Sequence, residues 1–411
     1  LRPLVLLLLF LASSADAATY VVAKNGRDTN PGTAARPFLT IARAISRVRA
    51  GDTVLVRTGV YREPVLIWDL KGTPDAAIRV VADRGANPVI DGQGLKVAPG
   101  LVTIGSSEWV HFGGFEVRNS TADGISLRGV KNVVIRENVV HHSQFGGIRA
   151  WNGNMDLTVD HNTVHHNVLS NSSRRAKQWS QAIGIEDTVR ATVTGNRVYQ
   201  NYGEGIDLIR TTGGTVSRNR VADNFSVNVY LDNARSITVD ANLIRTTDEA
   251  FYRNNIPASA ITMANERYRR QNPIGDIAIT NNIIVRAQTG VSYNDAETGG
   301  GLHGVRVANN TLYGLTSAAF VFGSRSRHSS TVVEKNIVYQ RRNGAYTARA
   351  TNDITWRGNA WFGGNPSTRQ NGPGDVNRDP LFVKPGGGDP ADYELRDDSP
   401  LRGKGIGAQK F

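Results

Sequence analysis

The feature that most constrains this chain is an asparagine that keeps returning at the same point of a short β-branched run. Val133-Val134-Ile135-Arg136-Glu137-Asn138-Val139-Val140 sets the pattern, and Leu157-Thr158-Val159-Asp160-His161-Asn162-Thr163-Val164 repeats it. Asn196, Asn219, Asn242, Asn282, Asn310, Asn336 and Asn359 occupy the same slot further on. The steps between these asparagines are 24, 34, 23, 23, 40, 28, 26 and 23 residues. The short steps suit one coil of a β-solenoid, with three short strands and three turns, and the long ones suit a coil carrying an extra loop. Asparagine fits the tight turn between strands because it tolerates left-handed backbone and its amide can bond the equivalent residue one coil away. Strands so evenly spaced, with almost no amphipathic helix between them, argue against a globular α/β domain.

A second strand recurs between the asparagines, usually introduced by a small residue: Gly124-Ile125-Ser126-Leu127, Gly147-Ile148-Arg149-Ala150, Ala182-Ile183-Gly184-Ile185, Gly205-Ile206-Asp207-Leu208, Asn228-Val229-Tyr230-Leu231, Ala260-Ile261-Thr262-Met263 and Gly290-Val291-Ser292-Tyr293. Period-two alternation turns Ile, Val and Leu inward and leaves Ser126, Arg149, Gly184, Asp207, Tyr230, Thr262 and Ser292 as one outward stripe. The composition agrees: 43 Gly against 15 Pro, with β-branched residues in short runs rather than helical stripes.

Residues 1–17 read as a signal peptide: Arg2, an apolar run from Leu4 to Ala12, then Ala15-Asp16-Ala17. That run is too short for the roughly 20 residues a spanning helix needs. Residues 18–411 are then one domain, secreted or periplasmic, with no later stretch able to cross a membrane as a helix. There is no cysteine, so stability must come from stacking, and thiol chemistry is excluded. Lys and Arg number 48 against 36 Asp and Glu, a net charge of +12. For an exported protein this points to an acidic polysaccharide as partner rather than nucleic acid or a membrane, although solubility alone would explain it as well. Monomer and homotrimer are both open.

Ile41, Ala44, Ile45 and Val48 have helical spacing behind Pro37-Phe38-Leu39-Thr40, and a helix here would cap the open N-terminal end of a solenoid. The same region resembles the opening of secreted right-handed parallel β-helix proteins of the pectate-lyase-like superfamily: Tyr20-Val21-Val22-Ala23-Lys24-Asn25-Gly26-Arg27-Asp28-Thr29-Asn30-Pro31-Gly32-Thr33, then Arg36-Pro37-Phe38-Leu39-Thr40-Ile41 and Ala50-Gly51-Asp52-Thr53-Val54-Leu55-Val56. Asp379-Pro380-Leu381-Phe382 and Ser399-Pro400-Leu401 resemble the closing segment of such chains. The resemblance implies an all-β, single-stranded right-handed parallel β-helix. It implies a carbohydrate-directed function but no particular reaction, because the superfamily holds lyases, hydrolases, epimerases, tailspikes and surface proteins. The paired-Asp and Gly-His-Gly signatures of polygalacturonases and the Asp-Pro-His-Asp motif of mannuronan epimerases are missing, and Gly301-Leu302-His303-Gly304 is a partial echo. No catalytic residue is therefore carried over.

Function in a solenoid usually occupies the outer face of one sheet, beside its long loops. Residues 167–182, with Arg174, Arg175, Lys177 and Trp179, and residues 245–274, with Arg253, Arg267, Tyr268, Arg269 and Arg270, are such loops, both basic and aromatic. Between them Glu186, Glu204, Asp207 and Asp232 border outward strands. Counting rungs puts Glu186 and Asp232 in one column two coils apart, with Asp207 on the coil between, one position earlier. Carboxylates one rung apart, ~4.8 Å, raise one another's pKa or demand a cation, so Glu186, Asp207 and Asp232 are a candidate calcium site. His141, His142, His165 and His166 fall in equivalent turns of adjacent coils, as an acid/base group or a structural stack. Tyr199, Tyr202 and Tyr230 are candidate sugar platforms or surface packing, while Trp151 and Trp179 are the better candidates for stacking on a sugar ring.

The leading expectation is a lyase or epimerase acting on a uronate-containing polysaccharide. Calcium held by Glu186, Asp207 and Asp232, with Arg149 and Arg210, would offset the substrate carboxylate, and Lys177, His142 or Tyr230 would be the base. The alternative is a glycoside hydrolase using two of Glu186, Glu204, Asp207 and Asp232. A non-catalytic carbohydrate-binding surface protein is the third reading. The Gly-, Pro- and Asn-rich stretch 363–378 reads as an exposed loop.

Overall fold

The computed structural model describes residues 17–173, 179–266, 273–295, 300–323, 327–349 and 352–409. All but the last residue of the expected signal peptide lie outside that description, as do Arg174, Arg175 and Lys177 of the first loop and Arg267, Tyr268, Arg269 and Arg270 of the second. The described chain winds into a parallel β-solenoid of about 11 coils with almost no helix. Each coil contributes one strand to each of three sheets, in the order seen in Lys131–Arg136, Val139–His141 and Ile148–Trp151. The first sheet has 13 strands, the second 12 and the third 11.

Alternation along each strand fills the interior. In the third sheet Ile125, Ile148, Ile183, Ile206, Val229, Ile261, Val291 and Phe320 stand one above another in register, all fully buried. Such columns of like residues stack at the ~4.8 Å rung spacing and bury a continuous core without disulfides.

The asparagine ladder runs along the corner between the first and second sheets. Each side-chain amide donates to the next asparagine's Oδ1, from Asn138 to Asn162 at 3.0 Å through to Asn336 to Asn359 at 3.0 Å. One part of the expectation is corrected. The left-handed backbone falls on the residue before each asparagine, as at Glu137, His161, Arg218, Ala241 and Lys335. The asparagine is needed instead as a buried amide that both donates and accepts. A second, unforeseen ladder follows the second sheet: Asn167 donates to Asn201 at 3.1 Å, Asn201 to Asn224 at 2.9 Å and Asn224 to Asn228 at 3.0 Å.

The N-terminal cap is shorter than its periodicity suggests, covering Ile41–Ile45. Thr40 caps it by accepting from Arg43 N, and the Glu63 carboxylate accepts from Ile41 N and Ala42 N, each at 3.1 Å. Ile41, Ala44 and Ile45 join the core, and Val48 packs beyond the helix end. At the other end residues 363–378 do more than form a loop: Asp375 accepts from Asn359 N at 2.8 Å and from Trp361 Nε1 at 2.9 Å, closing the ladder. The chain then folds back over the outer face of the second sheet, where Phe382, Tyr393, Leu401 and Ile406 bury against Leu243, Ile283, Val285 and Ile337. Among the described residues no helix is long and apolar enough to cross a membrane.

Candidate active site

The outward stripe read from the sequence is a single column of the third sheet. Strand register aligns Ser126, Arg149, Gly184, Asp207, Tyr230, Thr262 and Ser292. Glu186 and Asp232 share a second column, with Ile209 between them. Asp207 lies two residues before that column rather than one, because a one-residue offset would turn its side chain into the core.

Over these coils lies a cleft of about 810 Å³, whose lining includes Arg149, Trp179, Gln181, Glu186, Glu204, Asp207, Arg210, Tyr230, Asp232 and Glu266. The two long loops meet above it: the Arg253 guanidinium sits 4.3 Å from the centre of the Trp179 ring. Trp179 is 62 % exposed, so its ring is offered to solvent at the rim.

The floor is acidic and buried. Glu204 and Asp207 point outward from one strand yet are buried. They are hydrogen-bonded to each other. Burial lifts the Glu204 carboxyl to about 7, and nearby Glu266 adds to the rise against the hydrogen bonds from Asp207 and Gln181. Asp207 is raised well above the carboxylate range, first by burial and then by Glu204, Asp232 and Glu266. The pair therefore keeps a proton near neutral pH. Gln181, opposite Glu204 in register, donates to Glu204 Oε2 at 3.3 Å. Asp207 Oδ1 has no hydrogen-bond partner among the described residues.

One rung from Asp207, the Tyr230 hydroxyl donates to Glu266 Oε1 at 2.5 Å. Burial, that hydrogen bond and the surrounding carboxylates hold the phenol strongly protonated. Asn233, just past Asp232 on the Tyr230 strand, fixes Glu266 by accepting from its backbone N at 2.7 Å. Glu266 was not among the sequence candidates. Carrying the alternation on from Thr262 through Ala264 reaches it, two residues past the column of Glu186 and Asp232.

Other candidates are placed differently. Arg210 was expected to face a substrate carboxylate, but its guanidinium is tied to Asp187 by two bonds of 2.8 Å and to Glu186. Glu186 is thereby drawn toward Arg210, and among the described residues no three His, Asp or Glu side chains are grouped to hold a metal ion. In this structure Glu186 is therefore engaged by Arg210, while Asp207 and Asp232 face the cleft without it. Arg149 does line the cleft, 3.7 Å from Asp123, whose carboxyl is raised by burial to about 6. Trp151 is outside the cleft, its indole N–H on Ser126 Oγ at 3.1 Å and its ring under the Arg128 guanidinium. Tyr202 packs on Phe251.

His142 is also removed from the candidate bases. It stacks on His166 at 5.6 Å, beside the second-sheet column in which His141, His165 and Tyr199 stack at 5.0 and 5.1 Å. Burial lowers the pKa of His141 and His166 and brings His165 down to about 4, where neighbouring imidazoles add to the effect. These rings form a stack on the second sheet, away from the cleft. Lys177 lies outside the described residues, leaving Tyr230 as the base candidate that the described cleft contains.

Comparison with known proteins matches this architecture. YwoF of Bacillus subtilis, itself uncharacterised, is 27 % identical over 205 residues, 46 % of this chain and 42 % of that protein. Pectate lyase L of Dickeya dadantii is 24 % identical over 205 residues, 46 % of each chain. The match thus spans less than half the length of these curated relatives. The crystal structure of pectate lyase Pel9A superposes with a TM-score of 0.56 at 17 % identity, covering 94 % of this chain and 91 % of that one. Structures sharing the fold also include a surface adhesin, a lacto-N-biosidase and an alginate lyase, so this structural likeness is one of fold. The family model of the Pel9A-like right-handed β-helix region matches residues 20–299, more than half of the chain, and the protein belongs to that family.

Proposed function

We propose that the cleft cleaves an acidic, uronate-containing polysaccharide by β-elimination, outside the cell's cytoplasm. The observation that carries this reading is the juxtaposition of a hydrogen-bonded Tyr230–Glu266 pair with a carboxyl pair, Glu204–Asp207, that retains a proton. Elimination needs a base for the proton on C5, an offset for the adjoining carboxylate and an acid for the departing O4. Tyr230 Oη takes the C5 proton as its own phenolic proton passes to Glu266. The C5–H electron pair becomes the C4–C5 double bond, the C4–O4 bond breaks, and the Glu204–Asp207 pair protonates O4. Arg149 at the cleft wall offsets the substrate carboxylate, and Trp179 stacks on a neighbouring sugar ring. An acidic floor would repel a uronate if fully ionised, so the retained proton is what makes such a substrate acceptable. No step runs through a metal. The lyase names among the family's relatives support the same choice.

A second reading has its own support. A carboxyl pair protonated near neutral pH also suits the general acid of a glycoside hydrolase, with Asp232 or Glu266 as base or nucleophile. The test is digestion of a panel of uronate and neutral polysaccharides by wild type, Tyr230→Phe and Asp207→Asn, with and without EDTA. Elimination predicts rising ultraviolet absorbance from the unsaturated product, its loss in both variants and indifference to EDTA. Reducing ends without absorbance would replace elimination with hydrolysis. No product on any polymer would leave a binding protein.

A further inference from the structure

The outer face of the second sheet carries a stack that stops one rung short. Register places Arg118, His141, His165, Tyr199, Ala222 and Arg245 in one outward column. The rings of His141 and His165 lie 6° from parallel, and those of His165 and Tyr199 14° from parallel. The next rung, Ala222, offers only a methyl group. Arg245 stands two rungs from Tyr199, about 10 Å at the rung spacing. A slot about one ring thick is therefore left over the Tyr199 face, between it and Arg245.

The slot belongs to a cavity of about 470 Å³ walled by Arg197, Gln200, Arg220 and Asp223, and closed on one side by Gly388 and Asp389 of the returning C-terminal segment. Its acidic side chains are occupied. Asp389 pairs with Arg220 at 3.1 Å, and Asp223 Oδ1 accepts from the backbone N of Thr247 and of Asp248. Gln200 is bonded to Asp248 at 2.9 Å. Arg220 is the only one of the three arginines ion-paired among the described residues. Arg197, two residues before Tyr199 on the same strand, holds its guanidinium over the Tyr199 ring at 5.9 Å from the ring centre and lines the slot.

We propose that this slot is a second glycan-binding site, taking one carboxylate-bearing sugar residue with its C–H face on Tyr199 and its carboxylate between Arg197 and Arg245. Aromatic rings present an apolar face suited to the flat side of a pyranose, and guanidinium groups match a carboxylate with paired donors. Phosphate or sulfate alone would meet the arginines and leave the ring bare. A neutral sugar would meet the ring and leave both guanidinium groups unanswered. The site lies on a different sheet from the cleft and does not depend on the reaction performed there.

Trigalacturonate is titrated calorimetrically at low ionic strength into wild type, Ala222→Tyr and Arg245→Ser, with xylotriose and inorganic phosphate as competitors. Ala222→Tyr inserts the missing rung, and thermal denaturation confirms its fold; Arg245→Ser serves if that variant does not fold. Ala222→Tyr fills the slot and is expected to abolish one binding event, and Arg245→Ser is expected to weaken the same event about tenfold, the loss of one charge-assisted hydrogen-bonded contact. Any event at the cleft, and any turnover there, stays unchanged. Neither competitor should displace the trisaccharide at equal concentration. Absence of binding by wild type, identical isotherms for wild type and both variants, or displacement by phosphate alone would overturn the proposal. An inactive cleft with the Ala222-sensitive event intact would refute only the proposed reaction.

Discussion

Replacing Asn219 by Ala would measure what the amide ladder contributes. Asn219 is fully buried. Its Oδ1 accepts from Asn196 N at 2.9 Å and from Asn196 Nδ2 at 3.0 Å, and its Nδ2 donates to Asn242 Oδ1 at 3.0 Å and to Val193 O at 2.9 Å. Two of the four partners keep an alternative. Asn196 Nδ2 still reaches Val159 O and Thr194 O, and Asn242 Oδ1 still receives the backbone N of residue 219. The Asn196 N–H and the Val193 carbonyl lose a partner inside a dry corner. At about 1–3 kcal/mol for each orphaned group, the carbonyl toward the low end, the cost is about 3–4 kcal/mol. That is a large share of the roughly 5–15 kcal/mol by which folded proteins are stable. Urea denaturation should show the midpoint falling accordingly at unchanged slope. Asn219→Asp separates the two halves of the role. It keeps the acceptor but sets a carboxylate against Asn242 Oδ1 and Val193 O, so its deficit relative to wild type should be larger at pH 7 than at pH 4. A loss below about 1 kcal/mol for Asn219→Ala, with Asn219→Asp showing no dependence on pH, would refute the ladder as an energetic frame.

Further outcomes follow from the same geometry. His165 titrates near 4 in the fold against 6.5 unperturbed, so its neutral form is the one the fold holds. The resulting stability is present above pH 6.5 and is lost as pH falls toward 4. Melting temperatures of His165→Tyr, which extends the ring stack from Tyr199, should therefore fall less steeply than wild type across that window, and parallel curves would contradict the assignment. Where the Glu204–Asp207 pair acts as an acid, turnover should decline as pH rises through about 7, the value to which burial lifts Glu204, and Glu204→Gln should lack that limb in a pH–rate profile. Gly205→Ala would place a Cβ 2.3 Å from the Asn228 carbonyl oxygen. Because that contact is with backbone, it should cost about 1–3 kcal/mol in a urea titration, and a neutral result would mean the coil can shift.

Much of this architecture was legible because the solenoid converts sequence spacing directly into contact. Asn138 to Asn359 announce one corner, and alternation identifies the column from Ser126 to Ser292, since register and face are fixed together. Less was legible where side chains choose among partners. Arg210 and Glu186 sit where expected but satisfy each other and Asp187. The histidine pairs recur at coil spacing, as catalytic residues or a stack equally would, and only the second-sheet register shows them stacked away from the cleft. The return of residues 379–409 over the second sheet has no periodicity to read. Phe382 and Leu401 are isolated apolar residues whose partners, Leu243 to Ile337, belong to distant coils.

The position of the cleft follows from where the repeat is interrupted. Coils stack in sequence order, so loops inserted in two coils must flank whatever lies between them on the shared edge. The insertions responsible for the steps of 34 and 40 residues include residues 167–182 and 245–274, and the intervening coils carry Glu204, Asp207, Tyr230 and Asp232 on the third sheet. The loops touch through Arg253 and Trp179, and the later one supplies Glu266 to Tyr230. The insertions thus add to the burial of the carboxyls, alongside the repulsion among the coil acids. Uninterrupted 23-residue coils would leave the same outward acids in water, where only their mutual repulsion would still raise their pKa values. Shortening the 245–274 insertion to coil length should therefore lower the titration of the Glu204–Asp207 pair toward the ordinary carboxylate range, readable by carboxyl-carbon NMR, while the asparagine ladder beneath it persists. A pair that kept its raised pKa after the deletion would place the cause in the coils themselves.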